Sequence, residues 1–98
     1  MRPNQNANLI ALRKMLPVLR DHGVKHAWLF GSRARGNHHA ESDWDLLVEF
    51  ASPPGFDNFM GLKLSLEDQL HSRVDILSRS ACSPRLLEAI ESELLHVA

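Results

Sequence analysis

The sequence predicts a layered α/β domain in which a small sheet is covered by helices. Three observations carry that expectation. Segments whose apolar residues recur every three or four positions alternate along the chain with short apolar runs that suit strands. Gly23, Gly31, Gly36 and the stretch Ser52-Pro53-Pro54-Gly55 punctuate those segments. At 98 residues the chain is expected to be one domain over residues 1–98, because a chain of this size buries roughly 60 to 70% of its unfolded surface and holds one core.

The first six residues are polar, and Asn4 or Asn6 is placed to cap the helix that follows. Leu9, Leu12, Leu16 and Leu19 fall on one helical face, widened by Ile10, Met15 and Val18. Pro17 interrupts that face. An interior proline removes a backbone hydrogen bond, so the helix either kinks there or ends near Leu16, with a second turn from Pro17 to Gly23. His26 to Phe30 reads as a first strand, Gly31 to Gly36 as a turn with helical character through Arg33-Ala34-Arg35, and Asn37 to Ser42 as a polar loop. Asp43 to Phe50 is the second strand. Its Leu46-Leu47-Val48 run suits burial on both faces and hence a central place in the sheet. Asp57 is placed to cap a helix reaching Leu70, with Phe59, Leu62, Leu66 and Leu70 on one stripe and Met60 and Leu64 beside it. Arg73 to Leu77 is a third strand, carrying Asp75 between Val74 and Ile76. Ser83-Pro84 opens a final helix with Leu87, Ile90 and Leu94 on one face, and Leu95 to Ala98 is either its end or a short closing strand.

Composition narrows the class. Apolar residues at 44% and charged residues at 23% are ordinary globular usage and argue against disorder and against a membrane protein. No apolar run approaches the roughly 20 residues of a spanning helix. The polar N-terminus lacks the apolar centre of a signal peptide, and the single Cys82 cannot close an internal disulfide. These features point to the cytoplasm. A net charge of −1 with mixed signs offers no basic field for long nucleic acid.

The chemistry concentrates between Trp28 and Phe50. Asp43 and Asp45 stand two apart, so in a strand both carboxylates leave the sheet on one side. Like charges so placed repel unless a cation sits between them or water solvates both. Gly31-Ser32 follows the apolar run Trp28-Leu29-Phe30, where a glycine lets backbone N–H groups approach an anion and a serine adds a donor. Ser32 also suits a helix N-cap, and the two roles are compatible. A cation site beside a phosphate cradle is what a metal-bound nucleoside triphosphate requires. His38 and His39 read as surface residues, Trp28, Phe30, Phe56 and Phe59 as packing, and nothing pairs Cys82 with a catalytic base.

Taken together, Leu29-Phe30-Gly31-Ser32-Arg33-Ala34-Arg35-Gly36, then Ser42-Asp43-Trp44-Asp45-Leu46-Leu47-Val48, then Val74-Asp75-Ile76 resemble the minimal nucleotidyltransferase (MNT) family, within the superfamily that includes DNA polymerase beta. The resemblance runs from the first helix to the closing Glu93-Leu94-Leu95-His96-Val97. It implies the nucleotidyltransferase fold, a small mixed sheet of three to four strands flanked by about four helices. By the same resemblance, Gly31 and Ser32 would hold the triphosphate, while Asp43, Asp45 and Asp75 would be catalytic and ligate two magnesium ions. Arg33 and Arg35 would contact phosphate or a partner, or remain solvated surface charge. Trp44 stands where an aliphatic residue is more usual and is expected to pack in the core or an interface. Family members often act as antitoxins to a helical HEPN toxin. The expected activity is therefore Mg2+-dependent transfer of AMP from ATP to a hydroxyl, that of a tyrosine, on such a partner. This chain has no tyrosine, so that target lies in another protein. The alternatives are a non-catalytic module that masks its partner and transfer of a nucleotide to a small molecule. Homo- or hetero-oligomers are both compatible with the sequence.

Overall fold

The structure, a computed structural model, describes residues 3–98, with side chains described from residue 5 onward. Helix α1 (Pro3–Arg13) already contains Asn4 and Asn6, so neither is its cap. Pro17 ends the first helical run as expected, three residues earlier than Leu16: α1 stops at Arg13, Lys14 and Met15 form a turn, and α2 (Leu16–Asp21) restarts with the proline in its first turn. There the missing N–H has no intrahelical partner to lose. Strand β1 (Val24–Phe30) leads into α3 (Ser32–Arg35), a single turn, and then into β2 (Trp44–Phe50). Helix α4 (Phe56–Leu70), β3 (Val74–Ser78), α5 (Pro84–Ile90) and β4 (Leu95–His96) complete the chain. There are thus five α-helices among the described residues, with short 3-10 turns at Arg79–Ala81 and Glu91–Glu93.

The sheet is mixed, in the order β3-β2-β1-β4. β1 runs antiparallel to both β2 and β4, and β3 runs parallel to β2. The central place of β2 matches its apolar run: Leu46, Leu47 and Val48 are all buried. Alternation sorts the sheet into two faces. Ala27, Leu29, Leu46, Val48 and Val74 join one cluster with Leu9, Leu12, Leu19, Leu62 and Leu66 of the helices. Each buried leucine there contributes about 1.5–3 kcal/mol relative to exposure. The opposite face carries Trp28, Phe30, Asp45, Leu47 and Asp75. The segment after β3 crosses it, with the Arg79 guanidinium 5.0 Å from the Trp28 ring centroid.

Three expectations about the helices are corrected. Gly55, in extended backbone, is the N-cap of α4, and Asp57 lies inside its first turn, where a negative charge still meets the positive end of the helix. Leu64 is 59% exposed, since two residues along a helix rotate it about 200° from Leu62. Leu94 lies beyond α5, because the chain must extend to pair Leu95 with Leu29. That closing strand is prolonged by Val97 N–H donating to the Ala27 carbonyl at 2.8 Å. By contrast the Ser83 cap forms as expected, its hydroxyl accepting from the Leu86 amide.

Outside the ladder, α4 fixes the start of β3. The Val74 amide donates to Glu67 Oε2 at 3.0 Å, and Lys63 Nζ donates to the Val74 carbonyl at 2.6 Å. Asp75 is the next residue, so its backbone position is set by these two side chains. The hydrogen bond from the Val74 amide, first among the causes, holds the Glu67 carboxyl below the usual range. Among the described residues no helix is long and apolar enough to cross a membrane.

Candidate active site

β1 stops at Phe30, and Gly31 turns the chain with φ of 78°, the left-handed region that favours glycine. A second constraint is steric: a Cβ at Gly31 would overlap Asp45 Oδ2 and lie 3.1 Å from Asp45 Cγ. The carboxylate of Asp45 is therefore laid against the glycine backbone, which brings the end of β1 and the start of β2 to one corner. Gly31→Ala is expected to cost about 1–3 kcal/mol from backbone strain and to push Asp45 aside, lowering turnover about 100-fold. A thermal melt alongside a transfer assay checks both, and a Gly31→Ala protein with wild-type activity would show that this close approach is not needed.

Asp43 immediately precedes β2, Asp45 lies within it, and Asp75 in β3 is the direct register partner of Asp45. In a parallel pair, residues in register face the same side, so Asp45 and Asp75 share a face, with Asp43 two residues along. Asp43 and Asp45 are half-buried and Asp75 is exposed. Burial first, and then the negative charges of Asp75, Asp43 and Glu93, hold the Asp45 carboxyl above the usual carboxylate range, with Arg35 opposing them. This corner has surplus negative charge. The side chains are not drawn into a closed ligand set: no group of three or more His, Cys, Asp or Glu among the described residues is gathered tightly enough to hold an ion.

The two arginines of α3 diverge, and here the expectation for Arg33 is corrected. Arg33 is 6% exposed and turned inward, so it is not solvated surface charge. Its Nε and Nη2 donate to the Ser42 carbonyl at 3.1 and 2.9 Å, and its Nη1 donates to Asn8 Oδ1 at 3.3 Å. The guanidinium also lies 4.1 Å from the Trp44 ring centroid. Trp44 is core, as expected, although its indole N–H finds no acceptor; nothing in the structure accounts for that orphan. Arg35, by contrast, remains at the corner, its Nη1 donating to Glu93 Oε2 at 2.9 Å. The other oxygen of Glu93 accepts from the Gly31 amide, also at 2.9 Å. Ser32 is half-buried at the first position of α3.

Sequence reasoning missed Glu93, Asn8 and Gln5. Gln5 Nε2 and Asn8 Nδ2 donate to the carbonyls of Ala34 and Arg33, so two amides three residues apart on α1 hold α3 in place. The available signal was Asn8 beside Leu9 at the inner edge of an apolar stripe. His38, expected on the surface, is half-buried near Asn8. An apolar groove of about 470 Å³ lined by Phe56, Phe59, Ile76 and Leu77 contains none of the carboxylates.

Residues 13–96 match the family described as polymerase beta, nucleotidyltransferase. A "putative protein adenylyltransferase" of Methanocaldococcus jannaschii is 40% identical over 85 residues, covering 87% of this chain and 91% of that protein. The protein adenylyltransferase MntA of Thermococcus cleftensis is 33% identical over 75 residues, 76% of each chain. Among solved structures, a "putative minimal nucleotidyltransferase" superposes with a TM-score of 0.79 at 35% identity, covering 93% of both chains. A toxin-antitoxin solved with AMP-PNP superposes with a TM-score of 0.78 at 26% identity, covering 89% of this chain and 72% of that one. With the glycine turn, the paired aspartates and the third aspartate in register on the same face, the chain belongs to the polymerase beta nucleotidyltransferase family.

Proposed function

We propose that this nucleotidyltransferase moves AMP from ATP, with Mg2+, onto a tyrosine hydroxyl of a HEPN-type toxin and so acts as its antitoxin. One observation carries the reading: Asp45 lies against Gly31 with Asp75 as its register partner, Asp75 and Asp43 both add negative charge at Asp45, and Arg35 alone among the described residues opposes it. The names of the archaeal relatives and the AMP-PNP toxin-antitoxin neighbour support it.

The donor set fits the ion. It consists of carboxylate oxygens, the hard ligands that Mg2+ prefers, and the raised Asp45 carboxyl marks charge that a cation relieves. Bound to Asp43, Asp45 and Asp75, Mg2+ would neutralise the triphosphate and polarise the reacting phosphorus. The chain's own groups do the positioning. Gly31 and Ser32 hold phosphate oxygens, and the half-exposed Arg35 adds a mobile cation at the same edge. Asp75, on the exposed side, faces the arriving acceptor. The acceptor oxygen bonds to the α-phosphorus, the bond to the bridging oxygen breaks, pyrophosphate leaves, and the hydroxyl proton passes to solvent. In-line placement and charge neutralisation supply most of such catalysis.

The test combines the protein, ATP labelled in the adenosine, Mg2+ and a purified HEPN toxin. Label on a toxin tyrosine, located by mass spectrometry, together with loss of toxin activity is the expected result. Neutralisation of the toxin without label, by a protein that still binds ATP, would leave masking as the role and overturn the transferase reading.

A further inference from the structure

We infer that Glu93 is a built-in occupant of the nucleotide site, a carboxylate that holds the phosphate-binding groups in the free protein and must leave before a triphosphate can enter. The inference rests on the function proposed above and adds a residue that sets the affinity of that same site.

The placement follows from strand pairing. β4 runs antiparallel to β1 with Leu95 opposite Leu29, and continuing that register by two residues puts Glu93 opposite Gly31. Glu93 ends the 3-10 turn Glu91–Glu93, so its reach to the corner is fixed from both sides, by α5 before it and β4 after it. Its two oxygens then take different partners, Oε1 the Gly31 amide and Oε2 the Arg35 guanidinium, each at 2.9 Å. An amide N–H of the glycine turn and an arginine beside it are the donors a phosphate needs, and a carboxylate competes for both with the same geometry.

The energetics favour a removable contact. The side chains of Arg35 and Glu93 are 49% and 20% exposed, and a partly solvated ion pair is weak. A purely structural clamp would be expected deeper in the core. Glu93 also adds to the negative charge already pressing on Asp45, so the free site repels itself. A triphosphate arriving with its cation brings more charge to the same donors and relieves that repulsion. Until Glu93 is displaced, only a fraction of molecules is competent, and apparent affinity falls by that fraction. Displacing Glu93 also loosens the residue that leads into β4, which ties nucleotide occupancy to the closing edge of the sheet.

The experiment measures ATP binding with Mg2+ by calorimetry for the wild-type chain, Glu93→Gln and Glu93→Ala, with the Gly31 amide followed by NMR in the absence of ATP. Glu93→Gln keeps shape and weakens the pair with Arg35, and Glu93→Ala removes both contacts. The expected result is ATP affinity tightened about tenfold in Glu93→Ala and less in Glu93→Gln. In addition, the Gly31 amide resonance in ATP-free Glu93→Ala should shift away from its wild-type position. Folded variants that bind ATP equally or more weakly than wild type would overturn the inference and leave the proposed function standing. Absence of ATP binding in all three proteins would overturn the proposed function itself, and this inference with it.

Discussion

Replacing Asp45 with Asn is expected to abolish nucleotidyl transfer and, in the metal-free protein, to raise the melting temperature. Asp45 is half-buried against Gly31, and burial, then Asp75, Asp43 and Glu93, lift its carboxyl above the usual range while Arg35 acts the other way. Asparagine keeps the shape and removes the charge, so the repulsion disappears. The gain is on the order of 1 kcal/mol, about 4–8 °C for a domain of this size. The same change removes the carboxylate at the centre of the corner, which should cost at least about 10³-fold in rate. A carboxyl whose folded pKa lies above its ordinary 3.8 contributes stability below the unfolded value and loses that contribution as pH rises through the folded one. The advantage of Asp45→Asn should therefore widen from acid towards neutral pH. Scanning calorimetry in EDTA across that range checks it. A neutral-pH melting temperature below wild type would mean that favourable contacts hold Asp45 and that the corner is not repulsive.

Much of this corner was legible because it depends on short-range rules. A period of two puts Asp43 and Asp45 on one side, a continuous apolar run puts β2 at the centre, and glycine at position 31 marks the turn. Asp75 beside Asp45 required one further step, the parallel register of β3, which follows once β2 is central and α4 is the crossover. What sequence could not supply were the contacts made at long range. Arg33 and Arg35 are two apart on one helical turn and point in different directions. Which one turns inward depends on where α1 lands, since Asn8, 25 residues earlier, accepts from Arg33. Glu93 carried no signal of its own in the sequence. Its role emerges only when β4 pairs with β1 and carries it to Gly31, 62 residues away. The missed boundaries at Asp57 and Leu94 have the same origin, in that a backbone cap and a strand pairing overrode local preference.

Arg33→Ala is expected to unfold the protein at a much lower temperature, and Arg33→Lys to recover only about half of the loss. The guanidinium fork joins three separate pieces of chain: the Ser42 and Ala40 carbonyls of the loop before β2, Asn8 of α1, and the ring of Trp44. Burial lowers its pKa while nearby Asp43 raises it. The charge is therefore tolerated because it is hydrogen-bonded. Removing the side chain leaves Ser42 and Asn8 oxygens without their donor and uncovers Trp44, at about 3 kcal/mol, roughly 12–24 °C in melting temperature. A lysine ammonium is a single point that cannot span Ser42, Ala40 and Asn8 together. Because Ser42 directly precedes Asp43, the loss should also appear as reduced turnover, with the carboxylate less firmly placed. Thermal melts and steady-state kinetics on Arg33→Lys separate this from the phosphate contact the sequence suggested. A residue that binds phosphate would raise the KM for ATP and leave the melting temperature near wild type. A clamp on the loop lowers the melting temperature and kcat together, and that second pattern is the one this geometry requires.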